Sequence, residues 1–210
     1  DGLITNVSLV LGVAGAGSSH QSVVRLVGVA GLLAGAFSMA AGELVSVRAQ
    51  AELVQRELDV ERNELATEPE SELAELTSMY TERGVPEDDA RTVARILSAN
   101  HDLALDTHAR LELGIDPNQQ ASPTVAAVSS FAAFSIGAII PLLPWFFSKG
   151  LTAVLLSIAL GAAGALVLGG LIGSSTGRGV LRTALRQLAA VTVAAGITYG
   201  VGSLFGVGTT

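Results

Sequence analysis

Glu57, Glu61, Glu64 and Glu68 follow one another at intervals of four, three and four residues, which puts all four carboxylates on one stripe of a helix. Like charges at that spacing oppose one another by roughly 0.2–0.5 kcal/mol per pair, so the stripe works against its own helix. Glu72 and Glu75 repeat the three-residue interval, and His108 and Glu112 share a face four residues apart. Carboxylates converging from separate helices make a hard-oxygen cation site, and an imidazole among them shifts the preference towards iron, manganese or zinc. A divalent ion would then relieve the repulsion. The competing reading is a solvated acidic surface, partly neutralised by Arg56, Arg62 and Arg110. A di-iron oxidase would pair Glu-x-x-His motifs on two helices, and none of His20, His101 or His108 has a glutamate three residues before it.

A second set of ligand types lies in apolar surroundings. Asp1 opens the stretch "DGLITNVSLVLGVAGAG", and "GAFSMAAGE" offers Met39 with Glu43 one turn on. A carboxylate within a membrane segment is a functional candidate by default. A thioether beside it could accept Fe²⁺ while discriminating against Mg²⁺ and Ca²⁺. Packing is the plainer role for Met39.

The elements that must hold these residues are helices in lipid. The 210-residue chain is 50% hydrophobic and contains 24 glycines, with a mean hydropathy of +0.54, a membrane-like profile. Every acid but Asp1 falls between Glu43 and Asp116, where 18 acids face 7 bases for a net −11; the remaining one acid and five bases give +4. Such an insert repels phosphate and attracts cations, so nucleic acid is not an expected partner. With no cysteine, disulfides, thiolate metal sites and cysteine nucleophiles are excluded. The N-terminus lacks a basic leader, so its apolar run is read as a span and not as a signal peptide.

Uncharged runs at Gly2–Val24, Leu26–Gly42, Pro117–Ser148, Gly150–Gly177 and Gln187–Thr210 each reach the roughly 17–25 residues a bilayer requires. The expected fold is therefore an all-α membrane protein with five transmembrane helices and a helical, metal-binding insert between helices 2 and 3. The domains are 1–49 (helices 1–2), 50–116 (the acidic insert) and 117–210 (helices 3–5). A cytoplasmic N-terminus places Arg178, Arg182 and Arg186 inside and leaves only Arg25 and Lys149 outside, the positive-inside pattern. The insert is then cytoplasmic. Its second span is expected to run on without a break after Gly42, a stiff connection. Thr67 to Glu70 reads as a capping box with Pro69 opening the next helix, which ends at Gly84. Further helices follow from Pro86 to about Asn100 and on to Gly114. Pro141 and Pro144 should break the third span near its end, with Trp145, Phe146 and Phe147 as an interfacial cluster. Small-residue pairs Gly31/Gly35, Gly173/Gly177, Gly196/Gly200 and Gly202/Gly206 are expected to let helices approach closely.

The segments "DGLITNVSLVLGVAGA", "AGLLAGAFSMAAGELVSV", "RLELGI" and "GAIIPLLP", with the Glu-rich helix between them, resemble the vacuolar iron transporter family over essentially the whole chain. The resemblance implies a homodimer of five-helix subunits in the lipid bilayer. Such a protein exchanges cytosolic Fe²⁺, and often Mn²⁺, for protons, as an antiporter serving iron homeostasis. No permanently bound cofactor is implied, and the protein is not an enzyme. The family's metal-binding glutamates fall on Glu61, Glu64, Glu72, Glu75 and Glu112, and its pathway Asp and Met on Asp1 and Met39. Eukaryotic members carry a Met pair where this sequence has His108 and Ala109. The Ala/Gly/Arg-rich style points to a bacterial member exporting metal across the plasma membrane. In that reading the insert gathers ions, deprotonated Asp1 takes the cation, and protonation from outside helps release it. The alternative is a membrane-tethered metal sensor or store that transports nothing; an oxidase is a third and weaker reading.

Overall fold

The computed structural model describes residues 1–17, 20–119 and 121–206. All regular elements among them are helical: α1 (Gly2–Gly15), α2 (Gln21–Thr67), α3 (Pro69–Glu82), α4 (Glu87–Ser98), α5 (His101–Leu111), α6 (Pro123–Leu142), α7 (Pro144–Phe147), α8 (Gly150–Ser175) and α9 (Val180–Gly206). They form two compact units, Asp1–Glu43 with Ala126–Thr210 and Leu44–Val125. Helix α2 supplies residues to both. It runs unbroken because no glycine or proline follows Gly42 until Pro69.

In the first unit, α2, α6, α8 and α9 are long and apolar enough to cross a membrane, whereas α1 has 14 residues. The uncharged run Gly2–Val24 is divided: α1 stops at Gly15 and α2 starts at Gln21. Gly17, at φ 78°, takes a left-handed turn that suits a residue without a side chain. Leu3, Val7 and Leu11 of α1 are buried against Ala165 of α8 and Val191 and Ala195 of α9.

Helix approach depends on residues without bulk. On α8, Ala153, Ser157, Gly161, Ala165, Gly169 and Gly173 are all buried, a four-residue repeat that forms one small-residue stripe. A Cβ at Gly202 would meet the Gly12 carbonyl of α1, and one at Gly206 would meet the backbone of Ala16. Gly31 and Gly35 likewise make room for Leu9 and the Phe134 ring. Gly196 and Gly200 depart from the expected packing pairs, since a Cβ at either meets nothing within 4 Å. Gly177 serves the α8–α9 turn at φ 65°.

Proline does break the third span: α6 ends at Leu142 and α7 restarts at Pro144. The aromatic cluster behind it is not uniformly interfacial. Trp145 is fully buried, with Phe146 46% and Phe147 87% exposed. The Trp145 indole N–H donates to Ser157 Oγ at 3.0 Å, and that hydroxyl donates to the Pro141 carbonyl at 2.7 Å. The polar edge of the ring thus has a partner inside the bundle, which lets the apolar body be buried. Arg25 lies within α2, not in a connection, and donates Nε to the Trp145 carbonyl at 2.6 Å and Nη2 to that of Phe146 at 3.1 Å. Gln21 Nε2 donates to the carbonyls of Trp145 (2.7 Å) and Ser148 (2.8 Å). These donors satisfy carbonyls left free at a helix end. Helix α9 starts at Val180, seven positions before the uncharged run at Gln187, because arginine is a good helix former and charge marks the lipid boundary, not the helix end.

In the second unit, α3 does not begin with a capping box. Thr67 is the last residue of α2, its hydroxyl donates to the Asn63 carbonyl at 2.8 Å, and Glu68 precedes Pro69 without a side-chain cap. The end of α3 is a Schellman turn: Val85 N–H bonds the Tyr80 carbonyl (3.1 Å) and Gly84 N–H that of Thr81 (2.9 Å), with Gly84 at φ 90°. Asn100 caps α5, its side chain accepting from the N–H groups of Asp102 (3.0 Å) and Leu103 (3.2 Å).

Candidate metal centre

The second unit buries Leu58 and Leu65 from α2, Leu76 from α3 and Ala104 and Ala109 from α5. Glu61 is buried in the same unit, at 3% exposure. At 100° per residue it lies about 40° and 60° around the helix from Leu65 and Leu58. It is therefore the stripe glutamate turned furthest into the apolar face. Glu64 and Glu68 are exposed and Glu57 is half-buried. Glu72 of α3 is buried at 7% and His108 of α5 completely. Glu112 and Glu75 are exposed.

These side chains meet at the imidazole. His108 Nδ1 lies 3.1 Å from Glu61 Oε1, 3.6 Å from Glu72 Oε2 and 3.9 Å from Glu112 Oε2. Three helices thus converge on one point. One ligand atom from each of Glu61, His108 and Glu112 fits within a 4.8 Å set. Donors about 2.0–2.2 Å from a common ion lie roughly 2.8–3.6 Å apart at octahedral or tetrahedral angles, so the two shorter separations match a ligand edge.

The 3.1 Å approach is not a hydrogen bond. Glu61 Oε1 and both nitrogens of His108 have no hydrogen-bond partner, so the two atoms are close without being aligned on each other. A buried polar atom left unpaired costs roughly 1–3 kcal/mol. Two acceptors facing a common point recover that cost when a cation sits between them.

Burial and mutual repulsion set the charge state. Desolvation, then the carboxylates of Glu112, Glu72, Glu64 and Glu75, push the Glu61 carboxyl up to about 7. Glu72 is raised by burial and then chiefly by Glu75 and Glu64, and Glu112 by burial and the same two neighbours, opposed by its approach to the Glu61 carboxyl. Burial lowers His108, opposed by the negative charge of Glu75. The imidazole is thus held in the neutral form that ligates metal, and the carboxyls are protonated more readily than usual. Glu64 and Glu75 act here through their fields; neither reaches the imidazole within ion-pair distance.

The other predicted residues lie in the first unit. Asp1 precedes α1, its carbonyl accepting from Thr5 N–H at 2.9 Å, and its side chain is exposed. Met39, 36% exposed, and Glu43 stand one turn apart on α2. Among the described residues no hydrogen bond or ion pair joins Asp1 to either. Asn6 was not singled out by sequence reasoning. It is fully buried, donates Nδ2 to the Ala138 carbonyl at 2.6 Å, and leaves Oδ1 without a partner. An amide inside an uncharged apolar run was the available signal.

A bundle with four helices apolar enough to span a membrane, joined to a soluble-type helical unit with buried carboxylates, belongs to the class of polytopic membrane proteins that handle cations. The family model described as the VIT family matches residues 1–203. A vacuolar iron transporter of Acanthamoeba castellanii is 41% identical over 196 residues, covering 90% of this chain and 72% of its own. Vacuolar iron transporter 1 of Arabidopsis thaliana is 30% identical over 185 residues, covering 88% and 74%. Vacuolar iron transporter homolog 1 of Oryza sativa subsp. japonica is 32% identical, covering 98% and 70%. The chain belongs to the VIT family, a family of transporters and not of enzymes.

Proposed function

We propose that this protein transports Fe²⁺ across a membrane, and that its second unit captures the ion before transfer. The observation that carries the reading is the convergence of buried Glu61, Glu72 and His108 with exposed Glu112, where Glu61 Oε1 and both imidazole nitrogens have no hydrogen-bond partner, in a chain whose relatives are named vacuolar iron transporters. Glu64 and Glu75 add negative potential at the same place and complete the ligand field when more than one ion is held. A carboxylate-rich set with one imidazole suits Fe²⁺ and Mn²⁺ better than Mg²⁺ or Ca²⁺, so Mn²⁺ is the second cargo.

Asp1, Met39 and Glu43 line the path through the lipid, with protons moving in the opposite direction. In this reading α1 is the fifth span, two copies assemble as a homodimer, and the acidic unit faces the cytoplasm of a bacterial cell whose plasma membrane the metal leaves. The test is Fe²⁺ flux into proteoliposomes with a pH gradient imposed and then removed. Flux that needs both the gradient and Asp1 supports the antiporter. Metal binding without flux turns the protein into a membrane-tethered sensor or store. Equal flux by wild type and Asp1→Ala takes Asp1 off the path.

A further inference from the structure

Arg178, Arg182 and Arg186 surround a cleft of about 430 Å³, completed by Gly179 and Thr183. Arg25, Arg48, Arg62, Arg83, Arg91 and Arg110 each donate to a carbonyl or carboxylate, whereas, among the described residues, Arg56 and Arg95 stand singly in the acid-rich unit without an acceptor. Among the described residues the three cleft arginines have no such acceptor. Arg182 and Arg186 stand one turn apart on α9, a like-charge pair that disfavours its own helix. The first unit contains only two acids, Asp1 and Glu43, so nothing nearby in sequence offsets the three cations.

The backbone that carries the arginines is also held in place. Gly173 lets the Val180 backbone approach α8, and Gly169 lets Ala184 do so, so the first turns of α9 are packed tightly on α8. Gly177 makes the turn between them at φ 65°. Guanidinium groups on a fixed hairpin can present paired N–H donors to a tetrahedral oxyanion with little ordering cost.

The neighbours of the cleft identify the anion's source. Val180, Leu181 and Leu185, on the same turns of α9, are 51%, 71% and 52% exposed. A free phosphate has no use for exposed leucine, whereas a phospholipid offers acyl chain to the leucines and phosphate to the arginines. Helices α8 and α9 are both long and apolar enough to span the membrane, so their connection lies at a membrane surface.

We propose that the Arg178–Arg182–Arg186 cleft binds the headgroup of an anionic phospholipid through its phosphate. The inference rests on α8 and α9 crossing the membrane and is independent of which ion is carried. It is tested on the full-length protein in neutral detergent, titrated in turn with short-chain phosphatidylglycerol, short-chain phosphatidylcholine and inorganic phosphate, with the thermal midpoint as readout. The expected result is a saturable rise with phosphatidylglycerol and little response to the other two. Arg182→Gln with Arg186→Gln should weaken half-saturation at least tenfold. Arg182→Lys with Arg186→Lys keeps the charge that sets membrane orientation but loses the fork, and should also weaken binding. An equal rise with phosphatidylcholine, an equal rise with inorganic phosphate, or wild-type response in the Lys variant would each overturn the proposal. No readout depends on flux, so a failed transport assay leaves the result standing.

Discussion

The two units bury polar groups in opposite ways. In the first, the buried polar residues Asn6, Ser8 and Ser157 are neutral, and Asn6, Ser157 and Trp145 are tied to backbone carbonyls or to one another. In the second, the buried set includes Glu61, Glu72 and His108, whose ionisable atoms approach within 3.1–3.6 Å without hydrogen bonds at Glu61 Oε1 or at the imidazole. Asn6 Oδ1 and Ser8 Oγ also lack a partner, so the contrast lies in ionisability: an unpaired neutral group costs stability but has no charge to offer. One that stays ionisable, buried and unpaired is a donor set for a cation. The same contrast separates architecture from chemistry in this chain.

The largest effect expected from breaking that contrast is on the first unit. Gly202→Leu drives a branched side chain into the Gly12 carbonyl, and overpacking of this kind costs about 1–3 kcal/mol or more. Yield of folded protein on size-exclusion chromatography should collapse, where Gly196→Ala, in open space, leaves it unchanged. Next comes the metal centre. Glu61→Ala should lower Mn²⁺ affinity by at least about 10–100-fold, the range seen when even outer-shell partners of a metal site are lost, while a circular-dichroism melt still shows a folded bundle. Ser157→Ala strands the Trp145 N–H and removes a donor from the Pro141 carbonyl. It should cost about 1–3 kcal/mol in thermal unfolding without touching metal affinity.

A smaller effect concerns pH. With its carboxyl raised from 4.5 to about 7, folded Glu61 retains a proton in that window where the unfolded chain has lost it. Its contribution to stability therefore falls as pH rises from 4.5 towards 7. Glu72 and Glu112 act in the same direction. His108, lowered by burial, acts in the opposite direction below its ordinary 6.5, one group against three. Protection factors of the α5 amides in metal-free protein, with the intrinsic pH dependence of exchange divided out, should accordingly be lower at pH 7.5 than at pH 5, and added Mn²⁺ should raise them most at the higher pH. Smallest of all, Arg48→Ala breaks an exposed pair with Glu52 at 2.9 Å. It should change stability by no more than about 0.5 kcal/mol, and metal affinity not at all.

The helical plan was readable because charge and apolar length are written directly into the chain. The Pro141–Pro144 break, the stop at Gly84 and the unbroken run past Gly42 each follow from one residue's backbone chemistry. What periodicity could not supply was rotation. Glu57, Glu61, Glu64 and Glu68 share a stripe, but which of them turns inward depends on which apolar neighbours the fold buries, here Leu58 and Leu65. Trp145 misled for a related reason: its burial requires Ser157, twelve residues away on another helix. Arg25 looked like a loop charge because a cation in a helix facing carbonyls has no local signature. The buried stripe of α8 was hidden by being built from alanine and serine as well as glycine.

The account stands or falls on whether the buried Glu61–His108 pair takes a transition-metal ion. Calorimetric titration of the full-length protein with Mn²⁺, repeated on Glu61→Gln, tests this most directly. The arrangement predicts a saturable heat with proton release for wild type, and at least a tenfold loss of affinity in the variant. Equal affinity in the two proteins would contradict it.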